Sequence, residues 1–201
     1  MKLILASNNK AKLREFRRMF EGTEVELVSQ REAGFDIEVE ENGTSFEENS
    51  YIKAKAITDL SGCAAIADDS GIEVDCLGGE PGIYSARYGV GHEASDEERN
   101  NNYMLAKMGD CTERTARYVC AVCCTLPNGD VIRTRGECEG DILFSPRGQG
   151  GFGYDPLFVP KGFERTMAEI SAEEKDAISH RGKATREFVE KFKEYLNGNN
   201  K

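Results

Sequence analysis

Long apolar runs are absent from this chain. None of its 201 residues falls in a stretch approaching the roughly 20 apolar residues of a membrane span, which argues against a membrane-embedded helix. The first apolar run, Leu3-Ile4-Leu5-Ala6, is too short for a signal-peptide core and reads as a β-strand. The expectation is a cytoplasmic protein with no membrane partner. Positive charge is also scarce: 26 Lys and Arg stand against 36 Asp and Glu, a net charge of -10. A duplex binder neutralises several phosphates with a basic surface, so a nucleic acid polymer is excluded as partner. One small polyphosphate, held by a few local cations and a metal ion, is not. Histidine is limited to two residues. Cys120-Ala121-Val122-Cys123 lies in a strand-like run that aims its two thiols at opposite faces, so a zinc site is excluded. The seven cysteines, an odd number without an export signal, read as reduced apolar fillers. The Gly-x-Ser-x-Gly nucleophile elbow does not occur, and the glycine-rich stretch Gly148–Asp155 is not the dinucleotide-binding fingerprint, since a strand follows it rather than a helix.

What is present is a mixed α/β pattern. Lys2–Ser7, Val25–Ser29 and Cys63–Asp68 read as strands, with Ile72–Leu77 continuing or pairing the last. Lys10–Phe20 reads as a helix through Leu13, Phe16 and Phe20. Ser45 and Glu48 suggest a capping box opening a helix to about Leu60, with Ile52, Ala56 and Leu60 as its apolar stripe. Asn49 and Lys53 share a different face of that helix. Asp96–Met108 is a further helix. Thr115–Leu126 and Val131–Glu137 are strands joined by the hairpin turn Pro127-Asn128-Gly129-Asp130. Asp155–Pro160 is a short strand, and Ala184, Phe188, Phe192 and Leu196 mark an amphipathic C-terminal helix. No repeat or linker divides the chain, so one domain of two lobes with a cleft between them is expected.

Five segments carry candidate chemistry. Ala67-Asp68-Asp69-Ser70-Gly71 puts two adjacent carboxylates at the exit of a buried strand, where charge must be paired, hydrated or metal-bound; it also reads as an acidic turn. Ser7-Asn8-Asn9-Lys10-Ala11-Lys12 sits between a strand and a helix, where free backbone N–H groups and the helix dipole favour anions. Glu38, Glu40 and Glu41 are carboxylates of the kind Mg²⁺ prefers, or a solvated acidic loop. Gly150-Gly151-Phe152-Gly153-Tyr154-Asp155-Pro156 offers Phe152 for stacking on a flat base and Asp155 as an acceptor, or a structural turn. Ser179-His180-Arg181-Gly182, with Lys175 upstream, supplies fixed donors for carbonyl or phosphate oxygens.

In order along the chain, these segments, with Leu77-Gly78-Gly79-Glu80-Pro81-Gly82-Ile83-Tyr84-Ser85-Ala86-Arg87-Tyr88, resemble the inosine/xanthosine triphosphate pyrophosphatase family. The match is closest to its bacterial dITP/XTP branch and runs from Lys2 to the C-terminal helix. The resemblance implies an α/β fold of two lobes around a long central mixed sheet with flanking helices and an active-site cleft between the lobes. It implies a homodimer and Mg²⁺-dependent hydrolysis of deaminated purine nucleoside triphosphates to the monophosphate and pyrophosphate.

Residue by residue, it makes Ser7, Asn8, Asn9, Lys10, Ala11 and Lys12 the phosphate loop. Lys53 joins them on the phosphates. Asp69 becomes the general base and a metal ligand, with Glu40 or Glu41 as the further metal carboxylate. Ser70 contacts substrate, while Phe152, Gly153, Tyr154, Asp155, Lys175, His180 and Arg181 bind the nucleotide and its base. Ala11 departs from the glycine common in that loop. Two readings compete: a nucleotide sensor without turnover, and a related pyrophosphatase of different base specificity.

Overall fold

The computed structural model describes residues 2–89 and 97–199. Its strands are β1 (Lys2–Leu5), β2 (Glu26–Ser29), β3 (Ala65–Val74), β4 (Thr115–Thr125), β5 (Val131–Ile142) and β6 (Phe158–Pro160). Its helices are α1 (Lys10–Phe20), α2 (Phe46–Ser61), α3 (Glu97–Met108), α4 (Ala172–Ile178) and α5 (His180–Asn199). Short 3-10 turns occupy Asp75–Leu77 and Gly82–Arg87. The strands form one mixed sheet in the order β2-β1-β3-β4-β5-β6. β1 runs parallel to both β2 and β3, and β5 runs antiparallel to β6. No described helix is long and apolar enough to cross a membrane.

The chain forms two compact units. The first comprises Met1–Asp69, Cys120–Gly136 and Arg181–Lys201; the second comprises Ser70–Val119 and Glu137–His180. In the first, strand alternation sorts the core into two layers. Leu3, Leu5 and Ile66 join Phe16 and Phe20 of α1 and Phe188 and Phe192 of α5. Ile4, Ala65 and Ala67 meet Ala54 and Ile57 of α2 on the opposite face. Because both faces are covered, the strands read as nearly continuous apolar runs. In the second unit, Ile72 and Val74 of β3 pack with Met104 and Met108 of α3 and with Tyr118, Tyr154 and Phe158.

Several expectations change in detail. The segment Ile72–Leu77 splits: β3 continues unbroken through Val74, and a 3-10 turn begins at Asp75. Asp68 and Asp69 therefore sit inside a strand rather than at its exit. On α2 the buried face is Ala54, Ile57 and Thr58, while Leu60 is exposed. The stripe is rotated because α2 caps the face of β3 that carries alanines. Ser45 does cap α2 by accepting from the Glu48 N–H, but the Glu48 carboxylate turns to the N–H and hydroxyl of Thr44, so the capping box is only half formed. β5 extends beyond Glu137 to Ile142, and β6 begins only at Phe158. α4, too short to show a periodicity, was not expected. Asp96, expected to begin α3, lies outside the described residues.

Phe188 is fully buried, stacked on Phe192 at 5.3 Å between ring centroids and tilted against Phe20 at 6.1 Å. Phe188→Ala should cost about 3–5 kcal/mol of stability, read from urea denaturation. A loss below about 1 kcal/mol would mean that α5 is not held through this ring.

Candidate active site

The two adjacent aspartates of β3 are separated by the strand itself, since successive side chains point to opposite faces. Asp68 takes the face of Ile66 and meets α1, α5 and β4. Its Oδ2 lies 2.9 Å from Lys12 Nζ and 3.1 Å from Arg181 Nε, with Cys120 Sγ at 3.9 Å. Arg181 in turn places Nη1 2.5 Å from Glu15 Oε2. Lys12, Asp68, Arg181 and Glu15 thus form a chain of alternating charge, in which Asp68 and Arg181 are almost wholly buried. Burial alone pushes the Asp68 carboxyl up, but Lys12, Arg181 and Lys53 outweigh it and hold the group well below the usual carboxylate range. Breaking such a buried pair leaves an uncompensated charge, at a cost of about 3–5 kcal/mol.

Asp69 takes the face of Ala65 and Ala67 and meets α2. Asn49 Nδ2 donates to its Oδ2 at 3.1 Å, and Lys53 Nζ lies 3.4 Å from its Oδ1. Lys53 also meets Glu41 Oε1 at 2.6 Å. Fully buried Asn49 accepts the Gly43 N–H at 2.9 Å through its own carbonyl oxygen. One amide therefore joins the acidic loop to Asp69. A side chain at Gly43 would strike Asn49 and Glu48, so this approach requires glycine. Burial pushes the Asp69 carboxyl up, Lys53 and Lys12 pull it back, Glu41 adds to the rise, and the net direction is upward. Burial works against the Lys53 ammonium, but Asp69, Glu41 and Asp68 more than offset it, and its pKa is raised. Two carboxylates converge here on a single ammonium. That excess of negative oxygen suits a hard divalent cation such as Mg²⁺. Of the two neighbouring glutamates, Glu41 faces this cluster, whereas Glu40 is exposed.

The loop before α1 is built as a cap. Asn9 Oδ1 accepts the Ala11 and Lys12 N–H groups at 2.9 and 3.1 Å, and Ser7 Oγ accepts the Asn9 N–H at 3.2 Å. Asn8, Asn9 and Lys10 are exposed. Ala11 occupies ordinary helical backbone in the first turn of α1, where alanine is the best helix former.

The second unit contains its own cluster, centred on Asp155. Its Oδ2 accepts the Phe152 N–H at 2.8 Å and meets Lys175 Nζ at 2.6 Å, while Tyr118 donates its hydroxyl to Oδ1 at 3.3 Å. Both oxygens of this buried carboxylate therefore serve the protein. The capping box of Ser171 and Glu174 fixes the short α4 and with it Lys175. The Lys175 ammonium lies 4.6 Å over the Phe152 ring. His180 stacks on Tyr118 with ring centroids 4.6 Å apart and planes nearly parallel, at 7°. Asn101 of α3 donates to the Gly153 carbonyl at 3.1 Å, and Tyr154 donates its hydroxyl to the Ser85 carbonyl at 2.8 Å. Ser70, next along β3, is half-buried.

The expected residues thus gather in two groups. Ser7 to Lys12, Glu41, Lys53, Asp69 and Arg181 belong to the first unit. Ser70, Phe152 to Asp155, Lys175 and His180 belong to the second. Glu15, Tyr118 and Asn101 were not anticipated. Glu15 had a signal in its place three residues after Lys12 on the same helix face. Tyr118 had one in a hydroxyl that burial obliges to find a partner.

Gly151 has φ +72°, and a methyl there would run into the Asp155 carboxylate. Gly151→Ala should cost about 1–3 kcal/mol through backbone strain and lower the melting temperature. An unchanged melting temperature would show that the loop does not depend on this close approach.

The Ham1 family model matches residues 3–191. The chain is 47% identical over 203 residues to a dITP/XTP pyrophosphatase of Frankia alni, covering 98% of this chain and 99% of that protein. It is 44% identical over 198 residues to a dITP/XTP pyrophosphatase of Exiguobacterium sp., covering 98% and 100%. The solved structure of a HAM1 protein from Coxiella burnetii matches with a TM-score of 0.88 and 33% identity, covering 96% of this chain and 99% of that one. With the family model spanning nearly its whole length, the chain belongs to the Ham1 family.

Proposed function

We propose that the chain is a nucleoside triphosphate pyrophosphatase that hydrolyses deaminated purine nucleotides, dITP or ITP and XTP or dXTP, to the monophosphate and pyrophosphate. In this reading it cleanses the nucleotide pool as a cytoplasmic homodimer of single-domain chains. The observation that carries the reading is the Asp69–Asn49–Lys53–Glu41 cluster, in which a buried carboxylate with a raised pKa sits beside a second carboxylate and a charged lysine. Nucleotide binding alone gives no reason to bury carboxylates against a polyanion, so turnover is favoured over a sensor.

Asp69 is the general base that takes a proton from the attacking water. Asn49 holds the carboxylate in place. Lys12, Lys53 and the capped N-terminus of α1 take the phosphates, where positioning and charge neutralisation do most of the catalytic work. Asp69 and Glu41 would hold Mg²⁺, which when bound neutralises phosphate oxygens. Ser70 contacts substrate. Phe152 stacks on the base, with Gly153, Tyr154, Asp155 and Lys175 shaping the loop around it. His180 and Arg181 donate to the C6 carbonyl of a deaminated purine. Adenine offers an amine there instead and would leave those donors unsatisfied. Hydrogen-bonding sites of this kind discriminate by about 10⁴ or more.

The test is parallel incubation of the protein and Mg²⁺ with dITP, XTP, dATP and dGTP, with identification of the phosphate product. Pyrophosphate from dITP and XTP, with little from the other two, is the expected result; its absence from all four would return the protein to the sensor reading. His180→Ala should narrow the dITP/dATP preference, and an unaltered ratio would remove His180 from base recognition.

A further inference from the structure

Tyr118 of β4 has no part in the proposed chemistry, yet it contacts both sides of the proposed base site. It is buried, and its ring lies against His180 with centroids 4.6 Å apart and planes 7° from parallel. Phe158 meets the same ring edge-on at 4.8 Å. At the other end of the side chain, the hydroxyl donates to Asp155 Oδ1 at 3.3 Å. Asp155 Oδ2 accepts the Phe152 N–H at 2.8 Å and meets Lys175 Nζ at 2.6 Å. One side chain therefore links His180 to the loop that carries Phe152, and all of these residues belong to the second unit. Burial, and then the Asp155 charge, push the Tyr118 hydroxyl well above its ordinary value, so it keeps its proton and Asp155 accepts.

We propose that Tyr118 is a positioning residue for the purine base, setting His180 through its ring and Phe152 through its hydroxyl; the proposal rests on the pyrophosphatase reading and deepens it. His180 opens α5 directly after Ser179. The helix fixes its backbone but leaves the side-chain torsions to be decided by contacts. A parallel stack is such a contact. It occupies a face of the imidazole and uses neither ring nitrogen, since those nitrogens bond in the ring plane. The stack therefore aims the donor without consuming it. The hydroxyl acts on the other group. Phe152 stands between Gly151 and Gly153, both at positive φ, so its neighbours bring no side chains of their own to hold it. Asp155 holds it instead through the Phe152 N–H, and Tyr118 and Lys175 hold Asp155. The two halves differ in what they select. A ring stacked by Phe152 takes any purine, whereas a donor from His180 separates a C6 carbonyl from a C6 amine. Loss of the hydroxyl should therefore weaken all purine nucleotides alike, and loss of the ring should also erode the choice between them.

The experiment compares the wild-type chain with Tyr118→Phe and Tyr118→Leu. It measures kcat and KM for dITP and kcat/KM for dATP with Mg²⁺, and follows hydrogen exchange of the Phe152 amide by NMR. Tyr118→Phe keeps the stack and loses the hydroxyl. Its Phe152 amide should exchange faster, and its KM for dITP should rise roughly three- to tenfold with kcat within about twofold and the dITP/dATP preference kept. Tyr118→Leu loses both contacts, and its preference for dITP should narrow by about tenfold or more. A merely structural role would lower the melting temperature of both variants and leave KM and the preference unmoved. An unmoved KM in Tyr118→Phe, or the wild-type preference in a folded Tyr118→Leu, would overturn the proposal. If Tyr118→Leu fails to fold, the KM and exchange of Tyr118→Phe decide the matter alone. No pyrophosphate from dITP with the wild-type chain would remove the pyrophosphatase reading and this proposal together, a result that failure of the positioning role alone does not produce.

Discussion

Two neighbouring carboxylates inside a buried strand are the constraint around which the first unit is built. Asp68 and Asp69 are both buried, and the pleat of β3 turns them to opposite faces, so their direct contacts differ even though Lys12 and Lys53 act electrostatically on both. Each face of the strand must therefore supply its own cations. One face does so with Lys12 and Arg181, and Glu15 offsets the surplus positive charge. The other uses Lys53 and the Asn49 amide, but there Glu41 adds a carboxylate instead of removing one. The first face is balanced, two carboxylates against two cations. The second carries excess negative charge, and that imbalance is what the proposed reactive role of Asp69 rests on.

Asp155 solves the same problem in the second unit by different means. A backbone N–H, a lysine and a tyrosine satisfy its oxygens, and all three come from separate segments. The carboxylate thereby converts a glycine-rich loop, which would otherwise be loose, into a fixed support for Phe152. The sequence suggests an acceptor at Asp155 for a ligand; the geometry engages both of its oxygens within the protein, and in the proposed function ligand contact falls to the Phe152 ring and the backbone around it.

Much of this was legible in advance where period and packing agree. α1 spans the expected Lys10–Phe20, and the Ala184, Phe188, Phe192 stripe of α5 is buried as its spacing requires. The misreadings have physical causes. Asp-Asp-Ser-Gly has turn composition, so β3 looked as though it should stop; partners more than a hundred residues away in sequence, such as Arg181, let it continue. Leu60 looked like core by hydrophobicity, yet the alanines of β3 draw the opposite face of α2 inward. Glu40 and Glu41 are indistinguishable by composition, and only the position of Lys53 separates them. Motif order identified the family and the groups of residues, while the division of labour between adjacent aspartates required coordinates.

That division is tested most directly by measuring urea denaturation and dITP turnover on Asp68→Asn and Asp69→Asn side by side. The account predicts a crossed result. Asp68→Asn strands buried cations and loses about 3–5 kcal/mol of stability. Asp69→Asn stays within about 1 kcal/mol of the parent while kcat falls about 10²–10⁴-fold. Turnover near the parent's in Asp69→Asn, or full stability in Asp68→Asn, would contradict it.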